Sequence, residues 1–169
     1  MKIKWAYILI GDNNTGKTLF QKEIIYLLTS YQYERLECNI DFIVSINSLR
    51  SKTLFVMSRS FQEKHSEYIT VSNYFENYFK PCDICILSSH LIRTDIESFI
   101  IECKKRYYNI CGVFWENSIS KNESDNSLIS SLDWNKRIII ENNITENRDT
   151  YISNIKKSSV EFCNYILTQ

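Results

Sequence analysis

Glycine, proline and histidine are scarce in this chain, which contains three glycines, one proline and two histidines among 169 residues. So few glycines exclude a collagen-like or glycine-rich flexible chain, and they make the place of each glycine informative. Net charge is absent as well, because twenty basic residues balance twenty acidic ones. No overall field therefore draws the protein to nucleic acid or to an anionic membrane, and any such contact has to be local.

Long apolar runs are also missing, and no stretch approaches the roughly 18 to 20 apolar residues that span a membrane. The apolar run 5–10 follows a basic start, but Gly11 and Asp12 end it too early for an export signal. We therefore expect a cytoplasmic protein whose six cysteines are reduced thiols. Cys82 and Cys85 form a C-x-x-C pair without a second pair at ligand spacing, so we interpret them as buried structural thiols.

Apolar runs alternate with amphipathic patterns along the chain, and their periods predict strands and helices. The predicted strands are 2–10, 42–46, 53–58, 83–87, 110–115 and 137–140. Four helices are predicted. The first follows residue 18, the second covers 71–80, and the last covers 151–167. The third begins at a Thr94-x-x-Glu97 capping box and has Tyr107 on its buried side. This alternation predicts one α/β domain over 1–169, a three-layer α/β/α sandwich with a mainly parallel sheet.

The segment 116–135 interrupts this alternation. It is rich in serine, asparagine and aspartate, has little periodicity, and is longer than an ordinary connection. We predict that it is a mobile lid or a loop that binds a protein partner.

The most specific pattern in the chain is G-x-x-x-x-G-K-S/T, placed between a predicted strand and a predicted helix. Its members are Gly11, Asp12, Asn13, Asn14, Thr15, Gly16, Lys17 and Thr18. In such a loop, backbone N–H groups and the positive end of the following helix hold phosphate groups. Lys17 is expected to reach the β and γ phosphates, and Thr18 to place its hydroxyl on Mg²⁺. Asp12 is expected to point its charge away from the phosphates.

Through this motif, residues 5–30 resemble the P-loop NTPase superfamily. The resemblance implies the P-loop NTPase fold, ATP or another nucleoside triphosphate with Mg²⁺ as cofactors, and a second strand that ends in an acidic metal partner. Here the strand 83–87 ends in Ser88, which offers a neutral hydroxyl to the metal. Either the metal is held more weakly, or the carboxylate comes from Glu116 or Glu141, each of which follows an apolar strand. Asp41, before a strand, is a weaker alternative.

A narrower resemblance covers residues 83–116, where His90-Leu91 follows the strand as in the polynucleotide-kinase-like small-molecule kinases. It implies phosphoryl transfer, with Arg93 and the pair Lys136-Arg137 clamping the transferred phosphate. His90 is a candidate to contact the γ-phosphate or to orient water, because imidazole changes protonation near neutral pH. The alternative is a structural histidine that satisfies backbone groups.

Together these patterns predict Mg²⁺-dependent binding and hydrolysis of a nucleoside triphosphate. ATP is favoured over GTP, since the chain contains no Asn-Lys-x-Asp motif. The predicted catalytic residues are Lys17, His90 and Glu116, and the predicted metal contacts are Thr18 and Ser88. A kinase and a non-catalytic, nucleotide-loaded switch or assembly subunit are the alternatives, the last with a protein partner or a homo-oligomer.

Overall fold

A computed structural model of the protein describes residues 3–47, 50–142 and 147–169. The strands are β1 (Lys4–Ile10), β2 (Asn39–Asn47), β3 (Arg50–Met57), β4 (Ile84–Ser89), β5 (Tyr108–Trp115) and β6 (Lys136–Ile140). The helices are α1 (Lys17–Thr29), α2 (His65–Tyr68), α3 (Val71–Asn77), α4 (Arg93–Lys105), α5 (Glu116–Ile119), α6 (Glu123–Ser130) and α7 (Arg148–Leu167), and a 3₁₀ turn covers Phe61–Lys64. Residue 2 of the predicted first strand lies outside the described residues.

The strands form one six-stranded sheet in the order β2-β3-β4-β1-β5-β6. Every neighbouring pair is parallel except β2 and β3, which form an antiparallel hairpin. The predicted α/β architecture with a mainly parallel sheet is therefore confirmed. Crossover connections return the chain to the same edge after each helix, so the loops that follow the parallel strands gather along one rim.

Side chains of the central strand β1 alternate between two apolar cores, because successive residues of a strand point to opposite faces. Ala6, Ile8 and Ile10 belong to a core that includes α3 and α4, whereas Tyr7 and Leu9 belong to a core that includes α1 and α7. Helices thus pack on both faces of the sheet. Each fully buried large apolar side chain contributes about 1.5 to 3 kcal/mol to the free energy of unfolding. The two cores therefore hold the helices against both faces of the sheet.

The segment 116–135 contains two helices, α5 and α6, despite its weak periodicity, and its role as a lid or as a partner-binding loop stays a prediction. Asn126 and Ile129 are buried, and they lie three residues apart on one helical face. Glu123 and Asp125 occupy the first turn of α6, where acidic side chains favour the helix dipole. A single buried apolar residue in α6 is too weak a pattern to predict the helix from periodicity.

The capping box predicted at Thr94 and Glu97 is also wrong. The N-cap of α4 is Ile92, two residues before Thr94, because the carbonyl of Ile92 accepts the first helical hydrogen bond from the N–H of Ile96 at 3.1 Å. Tyr107, predicted on the buried face, is 80% exposed. It follows the end of α4 with a φ of 62°, and this left-handed turn directs its side chain to solvent while the chain enters β5.

Candidate functional site

The carboxyl ends of the central strands meet at one rim of the sheet. Ile10, the last residue of β1, lies opposite Ser89 of β4 and Phe114 of β5. The loop 11–18 therefore starts beside the end of β4 and the end of β5. The structure brings the motif, Ser88, His90 and Glu116 to the same edge, as strand direction alone predicts.

Two of the three glycines are required by the backbone of loop 11–18. Gly16 has a φ of 100° at the N-cap of α1, a left-handed conformation that L side chains rarely adopt. A Cβ atom on Gly16 would lie 2.5 Å from Oη of Tyr151. A Cβ atom on Gly11 would lie 2.9 Å from Cδ1 of Trp115, so Gly11 allows a close approach to the end of β5.

The side chain of Lys17 folds back over the loop that precedes it. Its Nζ donates to the carbonyl of Gly11, to the carbonyl of Asp12 at 2.7 Å, and to Oγ1 of Thr15 at 3.3 Å. Only 8% of the residue is exposed. Burial lowers the pKa of Lys17 to about 8, while the negative charges of Glu63 and Asp12 act in the opposite direction. The ammonium is thus desolvated and has no carboxylate in hydrogen-bonding contact.

A cavity of about 450 Å³ opens over this loop. Its lining residues are Asn13, Asn14, Thr15, Gly16, Lys17, Thr18, Leu19, Arg59, Glu63 and Tyr151. Six of the eight motif residues therefore face one cavity, and the exposed Thr18 is among them. Arg59, Glu63 and Tyr151 add a cation, a carboxylate and a phenol that come from distant parts of the chain.

Glu63 is the carboxylate in this cavity that the sequence patterns did not reveal. It lies in the 3₁₀ turn after β3, where Nη1 of Arg59 contacts its Oε2 at 3.2 Å. Its Oε1 lies 3.9 Å from Nε2 of His90, a buried nitrogen that has no hydrogen-bond partner in the described part of the chain. Burial lowers the pKa of His90, and the charge of Lys17 lowers it further, whereas Glu63 acts to raise it. His90 is therefore a neutral imidazole at neutral pH.

Gln62 fixes the position of His90 relative to Glu63. Its Oε1 accepts from the backbone N–H of His90 at 2.9 Å, and its Nε2 donates to Oγ of Ser89 at 3.1 Å and to Oδ2 of Asp95 at 2.7 Å. One amide thus ties the 3₁₀ turn to the end of β4 and to the first turn of α4. The adjacent carboxylate of Glu63 is held near His90 by this connection.

Ser88, the residue at the predicted acidic position, is buried and hydrogen-bonded. Its Oγ accepts from Nε2 of Gln21 at 3.0 Å, and the same nitrogen donates to the carbonyl of Met57 at 2.9 Å. Gln21 therefore connects α1 to the ends of β3 and β4. The hydroxyl of Ser88 keeps its own proton to donate, and its role as a metal contact stays a prediction.

Two asparagines brace loop 11–18 from the other side. Nδ2 of Asn142 donates to the carbonyl of Thr15 at 2.8 Å, and its Oδ1 accepts from the backbone N–H of Asn117 at 3.1 Å. Nδ2 of Asn122 donates to Oδ2 of Asp12 at 2.5 Å. The end of β6 and the α5–α6 segment therefore both contact the loop, although no local sequence pattern marks either asparagine.

The remaining candidates lie outside the lining of this cavity. Glu116 is the first residue of α5, and its Oε2 is buried without a hydrogen-bond partner. Glu141 is exposed beside β6 and α7. Arg93 pairs with Glu97 at 2.7 Å. The pair Lys136-Arg137 begins β6, at the end of the strand away from the rim, so the expectation that it clamps phosphate is wrong.

Three features of the described ranges 3–47, 50–142 and 147–169 limit other kinds of site. None of their helices is both long enough and apolar enough to cross a membrane. No three metal-ligating side chains gather there into a cluster. Cys82 and Cys85 are buried free thiols.

No protein-family model matches this chain, and no curated protein is similar to it in sequence.

Proposed function

We propose that this protein binds a nucleoside triphosphate, with ATP favoured, together with Mg²⁺, and that it hydrolyses the γ-phosphate. The observation that carries the proposal is the buried ammonium of Lys17 above a loop whose left-handed Gly16 opens helix α1. The N-terminus of α1 has no side-chain cap and no acidic residue in its first turn. Its backbone N–H groups and its dipole therefore suit an anion.

A bound polyphosphate would offset the unfavourable desolvation of the Lys17 ammonium. The Lys17 ammonium is desolvated, and its present acceptors are two carbonyls and a hydroxyl, which are neutral. A charge-assisted hydrogen bond to a phosphate oxygen is about twice as strong as a neutral one. Arg59, at the rim of the same cavity, offers a second cation to the charge that develops on the γ-phosphate.

The donor set of the cavity fits Mg²⁺, which prefers hard oxygen ligands and keeps several waters. Thr18 offers an exposed hydroxyl and Glu63 a carboxylate at the same cavity. Bound there, the metal would neutralise the β and γ phosphate charges. Glu63 supports this role better than Ser88, whose hydroxyl already accepts from Gln21.

Glu63 and the neutral His90 are also the groups that suit an attacking water. The Glu63 carboxylate would accept a proton from the water as the water oxygen bonds to the γ-phosphorus and the bond from that phosphorus to the β–γ bridging oxygen breaks. Nε2 of His90, which has no hydrogen-bond partner among the described residues, lies 3.9 Å from the same carboxylate. Arg59 already engages the other oxygen of Glu63 at 3.2 Å, so this carboxylate is shared between the guanidinium and the water. Slow intrinsic turnover is therefore expected, well below the roughly 10 per second of a typical enzyme.

Calorimetry with Mg²⁺ and the common ribonucleotides tests binding. Wild type should bind ATP, and Lys17→Ala should abolish the signal while circular dichroism shows the fold retained. Lys22→Ala is the matched control, because Lys22 lies on the same helix and donates to the carbonyl of Glu34, away from the cavity. Absence of heat with every nucleotide would refute the proposal.

Phosphate release tests hydrolysis separately. Glu63→Gln should lower turnover by about 100-fold or more, the usual effect of removing a general base. Its ATP affinity with and without Mg²⁺ separates the two roles, because loss of a metal contact weakens binding only when Mg²⁺ is present. Glu67→Gln is the control, since Glu67 is an exposed neighbour whose ion pair is with Lys64. Tight binding without turnover in wild type would contradict hydrolysis and leave a nucleotide-dependent switch.

A second cavity favours phosphoryl transfer as the alternative activity. It measures about 500 Å³, and it shares Arg59 and Glu63 with the cavity over the loop. Arg35 and Lys64 also line it, so its basic side chains suit an acceptor that carries phosphate. Glu63 would then receive the proton of the acceptor hydroxyl.

Transfer of labelled γ-phosphate to nucleosides, nucleotides and oligonucleotide ends separates this activity from hydrolysis. Arg35→Ala should then weaken the use of the acceptor and leave ATP binding unchanged, because Arg35 lines only the second of the two cavities. Failure of every acceptor would remove the kinase function and leave hydrolysis in place.

A further inference from the structure

Strand β6 ends the sheet on the side opposite the hairpin. It pairs with β5 along one edge, and no strand of the described chain pairs with its other edge. An unpaired strand edge presents backbone N–H and C=O groups to any strand that can align with it. Ile139, in the middle of β6, is 60% exposed.

The two faces of β6 differ. Ile138 and Ile140 pack with the core that includes α7. Arg137 and Ile139 alternate with them, and both are exposed on the other face. Glu141 continues this alternation by one residue and is exposed as well. Along this exposed face of β6, a basic residue, an isoleucine and an acidic residue therefore follow one another at every second position.

This order is complementary to itself. When two copies of β6 run antiparallel about a twofold axis at Ile139, each Arg137 lies opposite Glu141 of the other copy. Ile139 then lies opposite its own counterpart, and Ile138 opposite Ile140. Opposite charges and apolar pairs directly across two strands each contribute about 0.2 to 1 kcal/mol. The register with its axis at Ile138 would instead place Arg137 opposite Ile139 and lose both ion pairs.

Two grooves flank the strand and provide apolar surface beyond the edge itself. One has a volume of about 470 Å³ between β6 and α7, with Phe162 and Tyr165 in its lining. The other has a volume of about 390 Å³ beside α6, with Phe114 and Ile119 in its lining. Both grooves reach Ile139, so a strand added at this edge would cover them together.

We propose that β6 is the interface of a homodimer, in which a second copy of this chain adds its β6 antiparallel and the two sheets become continuous. Self-complementary charge favours a second copy over an unrelated partner, because a twofold contact uses the same patch on both subunits. The opposite edge lacks this order, since Asn39, Asp41 and Ile43 alternate along β2 and none of them is a base. The proposal is independent of nucleotide binding.

Sedimentation equilibrium of the full chain at micromolar concentrations is the first test. Wild type should sediment at twice the 20.1 kDa mass of one chain. Ile139→Asp should be monomeric, because the change places two carboxylates face to face, while its circular dichroism spectrum shows the fold retained, because the residue is exposed. Ile43→Asp is the control, since Ile43 is 75% exposed on the other edge, and it should stay dimeric.

Charge exchange tests the register. Arg137→Glu and Glu141→Arg should each weaken the dimer about tenfold, because each replaces two attractive pairs by two like-charged ones. The double variant should restore wild-type association. A monomeric wild type would overturn the proposal, and so would a dimer that neither Ile139→Asp nor the single charge variants weaken.

A cysteine at position 139, on the proposed twofold axis, tests the same strand pairing independently. Opposed residues in an antiparallel pair have Cα atoms about 4.5 to 5.5 Å apart, which a disulfide can bridge. Ile139→Cys should therefore form a covalent dimer under mild oxidation, whereas Ile43→Cys should not. Equal crosslinking of the two variants would overturn the proposed axis.

Discussion

The buried ammonium of Lys17 makes the stability of this protein depend on pH in alkaline solution. Burial lowers its pKa from 10.5 to about 8, so between these values the unfolded chain binds more protons than the folded one. The free energy of unfolding must therefore rise with pH across this window. At about 1.4 kcal/mol for each pH unit between the two pKa values, the gain is about 3 kcal/mol.

Lys17→Met is the reference that isolates this effect, because methionine has nearly the same length and does not titrate. Urea unfolding of both proteins at a series of pH values gives the difference between their unfolding free energies. Other groups that titrate cancel in that difference. It should be constant below about pH 8 and should rise in favour of wild type by about 3 kcal/mol towards pH 10.5.

A flat difference would refute the reasoning, because the ammonium would then be as well solvated in the folded protein as in the unfolded chain. A difference that falls with pH would mean that the carbonyls of Gly11 and Asp12 stabilise the charge more than burial opposes it. The proposed nucleotide adds a second check. Phosphate would keep Lys17 protonated, so ATP affinity should fall about tenfold per pH unit above about pH 8 in wild type.

Gly16→Ala should lower the unfolding free energy by about 1 to 3 kcal/mol, because φ is 100° and the new Cβ would lie 2.5 Å from Oη of Tyr151. Thermal unfolding measures this loss. Adding Tyr151→Phe removes the hydroxyl that the new Cβ would meet, so it should recover the part of the loss due to that contact and not the part due to φ. An unchanged melting temperature in Gly16→Ala would contradict the prediction. Asn142→Ala should cost about 1 to 3 kcal/mol in urea unfolding, because the buried carbonyl of Thr15 loses its donor; equal stability would argue against the contact. The imidazole of His90 should titrate below its ordinary pKa of 6.5, so wild type should lose stability relative to His90→Gln as the pH drops through that value. An NMR titration measures this pKa, and a result at or above 6.5 would rule the prediction out.

The sequence was sufficient for a mainly parallel α/β sheet and for the edge at which loop 11–18 lies, but not for the strand order or for the antiparallel pair β2–β3. Loop 11–18 is a local motif whose glycines are needed where the backbone turns, and the apolar runs of β1, β4 and β5 are long enough to identify strands. Strand direction then placed Ser88, His90 and Glu116 at one rim. Each of these inferences uses information that lies within a few residues.

Glu63 could not be found in that way. It lies in a 3₁₀ turn, six residues after the end of β3, and reaches the cavity only because Gln62 anchors that turn to Ser89 and Asp95. Asn142 is a similar case, since its partner Thr15 lies 127 residues away. Long-range hydrogen bonds of single polar side chains have no periodicity, and therefore leave no pattern in the sequence.

The side chains that anchor the surroundings of loop 11–18 are amides: Gln21, Gln62, Asn122 and Asn142. Amides bear no net charge, so they hold the strand ends and the loop in place without cancelling the positive potential of Lys17. Added salt should therefore affect the attraction of an anion but not the geometry of loop 11–18. Rising ionic strength would weaken the long-range attraction, while the hydrogen bonds of the four amides keep the loop in place.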